Sequence, residues 1–161
     1  MRTLHTLSFF SLFILTMFIP TQLFAEKRFR PFLESTNGDL KQASNAEELT
    51  FSYSLNLPKD YALNEEAPSD YQLFVDDGEN SVTLRSNKLT ALQESIPFTL
   101  KEHSGNIDLV FESTVYYCKH TERALCLTKS FRYTQPLWVE RDGPTDEIHF
   151  SPSEQSFRSE Q

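Results

Sequence analysis

Cys118 and Cys126 are the two cysteines of this 161-residue chain, and only Lys119-His120-Thr121-Glu122-Arg123-Ala124-Leu125 lies between them. A pair this close admits three readings: an inert disulfide staple, a pair that cycles between dithiol and disulfide, or two thiols left free or bound to a metal. Exchange chemistry needs a sulfur that a second thiolate can approach in line and a leaving thiolate that is stabilised. Lys119, His120 and Arg123 place cationic character beside the sulfurs and would favour thiolate. A staple closing so short a loop would contribute roughly 2–3 kcal/mol in the chain-entropy model. A metal would find Cys118, His120 and Cys126 but no evident fourth ligand for a closed tetrahedral site, and His120 reads more simply as a solvated loop residue.

The remaining chemistry-bearing residues form no second constellation. Glu65 and Glu66 are adjacent on a loop, where neighbouring carboxylates diverge, and are read as solvated. His103 and His149 lie on polar segments with no serine or cysteine beside them in sequence, and read as surface histidines. The four glycines are isolated, so there is no phosphate-cradling loop. No metal, nucleotide, haem or flavin cofactor is expected.

The elements that must position the cysteines are two long strands spanning Ile107 to Thr134. On the first, Ile107, Leu109, Phe111, Val115 and Tyr117 share one face, while Glu112, Thr114, Tyr116 and Cys118 share the other. On the second, Leu125, Leu127, Lys129, Phe131 and Tyr133 share a face, opposite Cys126, Thr128, Ser130, Arg132 and Thr134. With the apolar sets in the core, both cysteines fall on the polar side. Facing positions on antiparallel strands lie roughly 4.5–5.5 Å apart at Cα, within reach of a disulfide.

Further strands are read at Leu49–Leu57, stopped by Pro58, and at Tyr71–Val75, closed by Asp76-Asp77-Gly78. Shorter ones are read at Ser81–Leu84, Phe98–Leu100 and Leu137–Val139, with Trp138 packing at the end of the last. A short helical turn near Lys88–Glu94 is compatible with the pattern. Many short strands between turn signals argue for an all-β sandwich over residues 45–141. Residues 26–44 read as a flexible N-terminal arm and 142–161 as a disordered tail, so the sandwich is expected to have disordered terminal arms.

Residues 1–25 read as a secretory signal: Arg2, the apolar stretch Leu7–Ile19, then Pro20 to Ala25 with cleavage after Ala25. The apolar run stops short of the roughly 20 residues that a membrane span needs. The expected product is a soluble monomer in the periplasm or secreted, with no membrane insertion after cleavage; the alternative is an uncleaved N-terminal anchor. The formal charge is −8, becoming −9 without Arg2, which argues against nucleic-acid binding through a broad basic footprint.

The segment Val115-Tyr116-Tyr117-Cys118, then Cys126-Leu127-Thr128-Lys129-Ser130-Phe131-Arg132-Tyr133 and Pro136-Leu137, resembles the cysteine hairpin of the periplasmic N-terminal domain of DsbD-type thiol:disulfide interchange proteins. It is similar also to the β-domain that ends thioredoxin and NHL-repeat proteins. In that second group the pattern LPxGYxLNxxAPS resembles Leu57-Pro58-Lys59-Asp60-Tyr61-Ala62-Leu63-Asn64-Glu65-Glu66-Ala67-Pro68-Ser69. Seven residues separate the cysteines where the DsbD-type domain has five, and Ala67 falls where that family has an aromatic residue shielding the sulfurs. The resemblance implies an immunoglobulin-like antiparallel β-sandwich in which Cys118 and Cys126 cycle between dithiol and disulfide. It puts Glu65 and Glu66 in the acidic part of that family's cap loop, where they join the cationic Lys119, His120 and Arg123 as the thiolate environment. It implies partners that are thioredoxin-fold or other periplasmic redox proteins. The alternative is a disulfide-stapled binding or assembly module built on the same sandwich.

Overall fold

A computed structural model describes residues 33–119, 125–144 and 147–158, and among these residues the chain forms ten strands, the long ones on alternating apolar and polar side chains. In chain order they are β1 (Leu33–Asn37), β2 (Lys41–Ser44), β3 (Glu48–Ser54), β4 (Tyr61–Leu63), β5 (Asp70–Asp76), β6 (Ser81–Lys88), β7 (Gln93–Thr99), β8 (Gly105–Lys119), β9 (Cys126–Glu140) and β10 (Ile148–Phe150). A 3-10 turn at Glu154–Phe157 follows. One sheet runs β1-β9-β8-β5-β6, with β2 also pairing β9 and β4 also pairing β8; the other runs β10-β3-β7. The fold is an all-β sandwich.

The inner faces follow from the period of two. Leu49, Phe51 and Tyr53 of β3 are buried together with Tyr71, Leu73 and Val75 of β5 and with Ile107, Leu109, Phe111, Val115 and Tyr117 of β8. Phe111 sits at the centre, its ring 4.9 Å from Phe51, 5.3 Å from Tyr53, 5.9 Å from Tyr71 and 5.8 Å from Phe150. Its partners come from both sheets, so this one ring ties the layers together.

The sequence expectations are corrected at both ends. Residues 33–44, expected in a flexible arm, hold β1 and β2, which pair in parallel with β9. These strands rest on main-chain ladders to a long neighbour rather than on apolar alternation, so their polar composition hid them. Gly38 lies between them, where a Cβ would crowd the Gln135 Oε1 at 2.5 Å and the Tyr133 hydroxyl at 2.6 Å. Residues 147–158, expected in a disordered tail, hold β10, parallel to β3, and bury Phe157. Three anchors, Ile148, Phe150 and Phe157, suffice to seat that segment. The sheets are therefore mixed rather than wholly antiparallel. The helical turn near 88–94 is absent, because that stretch ends β6 and begins β7. Trp138 is 42 % exposed instead of packed, since β9's alternation turns it away from Leu137 and Val139.

Three buried tyrosines and one half-buried one predict an alkaline limit to stability. Burial pushes the hydroxyls of Tyr53, Tyr71, Tyr117 and Tyr133 above their usual pKa. The Glu94 carboxylate, which accepts hydrogen bonds from Tyr53 (2.9 Å) and Tyr71 (3.1 Å), adds to the shift for that pair. A raised folded-state pKa means that the unfolded chain loses these protons first. Stability is therefore fully present below about pH 10, the unfolded tyrosine value, and falls as pH rises beyond it. Thermal unfolding followed from pH 8 to pH 11.5 should show a flat midpoint and then a decline, and a midpoint still flat at pH 11.5 would refute this account.

Candidate functional site at the disulfide end of the hairpin

The β8–β9 ladder sets Cys118 directly opposite Cys126. The Lys119 N–H donates to the Leu125 carbonyl at 2.9 Å, which makes 119/125 a hydrogen-bonded pair. Alternation then makes 118/126 a non-hydrogen-bonded pair, the closer of the two antiparallel spacings. The cysteines are joined by a disulfide there, with their Cα atoms 4.0 Å apart. Both lie on the face opposite the buried Val115, Tyr117 and Phe131, as the period of two predicted.

This end of the hairpin projects beyond its neighbours. The pairing of β5 with β8 stops at Thr114, and that of β1 with β9 begins at Ser130. Up to that row the outer face is tied down: Arg132 pairs with Glu112 and lies 5.7 Å over the Phe74 ring, and Thr114 meets Ser130 at 3.3 Å. Past it, among the described residues, only β4 flanks the hairpin, placing Ala62 next to Cys118. Cys118 is half-buried and Cys126 exposed.

The segment 57–69 builds this flank. The Tyr61 N–H donates to the Pro58 carbonyl at 3.1 Å, closing a tight turn in which Asp60 has φ 70°. That left-handed conformation explains why the LPxGYxLNxxAPS pattern carries glycine at the position of Asp60; aspartate is one of the few side chains that tolerates it. The Asn64 N–H donates to the Tyr116 carbonyl (2.9 Å), and the buried Ser69 Oγ accepts from the Tyr116 N–H (3.0 Å). Asn64 and Ser69 thereby satisfy the main chain of β8 in the gap between β4 and β5.

The other expected site residues are scattered around the pair. Lys119 follows Cys118 in β8, so strand alternation starts its side chain on the opposite face, in the row of Tyr61. Glu65 and Glu66 are exposed in the turn after β4, following Asn64. Asn64 Oδ1 holds the Glu66 N–H, and Lys88 Nζ donates to the Glu65 carbonyl. His120 and Arg123 lie outside the described residues. Among those described, no three His, Cys, Asp or Glu side chains converge on a metal position. Leu125, expected in the core, is 55 % exposed next to Cys126, because it precedes β9 and has no opposing sheet above it.

Two features escaped sequence reasoning. Beneath the hairpin end, on the core side, is a cleft of about 320 Å³ floored by Tyr61, Leu127 and Phe157, with Lys59, Glu154 and Arg158 at its rim. On the outer face of the smaller sheet, His149 Nδ1 lies 2.8 Å from Ser52 Oγ. These residues are 97 positions apart, and only the parallel β10–β3 pairing brings them together. No local signal could have found either.

No family model matches the chain. It is similar to NHL repeat-containing protein 2 of Gallus gallus, with 30% identity over 105 residues. That match covers 60% of this chain and 14% of the relative, so the chain spans about one seventh of the length of the curated relative it matches.

Proposed function

We propose that this chain is a thiol–disulfide interchange module acting outside the cytoplasm, with Cys118 and Cys126 as the reacting pair. The observation that carries the reading is the place of the disulfide: on the solvent face of the hairpin end, with Cys126 exposed and, among the described residues, β4 alone pairing alongside Cys118, through Ala62. A thiolate can approach such a sulfur without opening the core. The resemblance of both cysteine-flanking motifs to DsbD-type and NHL-associated β-domains supports the same chemistry.

The exchange balances without a cofactor. A partner thiolate attacks one sulfur, the S–S bond breaks, and its electron pair leaves on the other sulfur as thiolate. The partner's second thiolate then attacks the mixed disulfide and releases the first sulfur. The partner becomes a disulfide and this pair a dithiol, two electrons having passed with two protons taken from solvent. Thioredoxin-fold proteins, which present such dithiols, are the proposed partners, and the signal-like leader would deliver the domain to them.

Reduction of the native protein tests this reading. Equilibration with thiol buffers of graded potential, with no denaturant, should yield a reversible two-electron midpoint above about −300 mV, while the folded-state NMR spectrum persists. A midpoint well below that value, or reduction that requires unfolding, would make the disulfide a staple and leave the binding-module reading in its place.

A further inference from the structure

We propose that the cleft beneath the hairpin end is where the partner polypeptide docks, taking the apolar side chain that adjoins the partner's reacting cysteine, with acidic residues flanking it. This rests on the interchange reading and names the class of partner that the reading leaves open. Cys126 and Leu127 are consecutive in β9, so Cys126 faces outward and Leu127 faces the cleft. Residues 125, 127 and 129 turn their main-chain groups toward β8, which directs those of Cys126 and Thr128 to the opposite edge. Among the described residues no strand lies on that edge between Cys126 and Lys129.

An extended segment laid there alternates its side chains between the same two faces. A cysteine set beside Cys126 therefore places its neighbour beside Leu127, on the Phe157 side of the cleft, whose far wall is Tyr61 of β4 across β8. Leu125, exposed just before Cys126, widens the apolar contact. The rim supplies the charge preference: Lys59 and Arg158 stand against one carboxylate, Glu154, which already pairs with Arg158 at 2.8 Å. On a chain of formal charge −8 this is a local reversal of sign, and it favours acidic flanks on the partner.

The test uses the full chain and two amidated, acetylated peptides, Glu-Gly-Ser-Leu-Glu-Gly and Glu-Gly-Ser-Gly-Glu-Gly, in which serine stands for the cysteine so that docking is read apart from exchange. Amide-shift titration should show the leucine peptide binding about tenfold more tightly, with the largest shifts at Leu127 and Phe157. Lys59→Glu, an exposed change that leaves the core alone, should weaken the leucine peptide about threefold or more. Equal affinity of the two peptides, or shifts confined to other surfaces, would overturn the proposal, and an unchanged affinity in Lys59→Glu would overturn its charge preference. The cysteine versions, as mixed disulfides with glutathione and offered to the chain with its Cys118/Cys126 pair first reduced to the dithiol, then separate the two readings. The pair's thiolate attacks the mixed disulfide, and glutathione or the peptide leaves as thiolate. Discrimination without exchange would retain the docking cleft and remove the interchange function; exchange at equal rates for both peptides would do the reverse.

Discussion

Replacing one cysteine of the pair by serine is expected to turn a transient intermediate into a covalent adduct that survives isolation. Exchange proceeds through a mixed disulfide that the second thiol resolves. In Cys118→Ser or Cys126→Ser that resolving thiol is gone, so the partner stays attached until a reductant is added. Both single variants are needed, because Cys126 is the more exposed sulfur while the neighbouring cations flank both positions in sequence. Expressed in an oxidising extracytoplasmic compartment, one of them should accumulate a reductant-sensitive adduct with a thioredoxin-fold protein or a client, many-fold above wild type. The double variant should accumulate none. Two folded, thiol-accessible single variants that both remain adduct-free would end the interchange reading and favour the stapled binding module.

The second large effect is on stability. Phe111→Ala removes the ring that touches Phe51, Tyr53, Tyr71 and Phe150, and it does so at a fully buried position between two sheets whose main chains cannot collapse into the gap. Truncations of this kind cost about 3–5 kcal/mol, against total stabilities of roughly 5–15 kcal/mol for a domain. Urea unfolding of the oxidised protein should show the midpoint falling by about a fifth or more with little change in slope. A loss below about 1 kcal/mol would mean that the core repacks freely and that Phe111 is not its hub.

What could be read from the sequence was what repeats locally. The alternation from Ile107 to Tyr117 assigned the faces of β8 correctly, and with them the outward position of Cys118. The spacing of the cysteines allowed the pairing that the ladder shows. The long-range pairings were not readable. β1 and β2 owe their places chiefly to main-chain hydrogen bonds with a strand that is distant in sequence, which leave almost no trace in side-chain pattern, and β10 is seated by three apolar anchors in too short a run to mark a strand. For the same reason the cleft was invisible, since Tyr61, Leu127 and Phe157 belong to three separate segments. Leu125 misled because alternation specifies a face but not whether the opposing sheet extends far enough to cover it.

The two kinds of pairing also differ in when they can form. The β8–β9 hairpin closes across eight positions of sequence, whereas β10 meets β3 only across 97. Loop-closure entropy alone separates the two by about 2 kcal/mol, and contacts of such long range are the slow part of folding. The hairpin, with its cysteines already opposed, is therefore the natural first piece to assemble, and the disulfide can close before the C-terminal strand has found its place. An oxidant meeting the emerging chain would encounter a preformed ring of nine residues and a still unfinished sandwich.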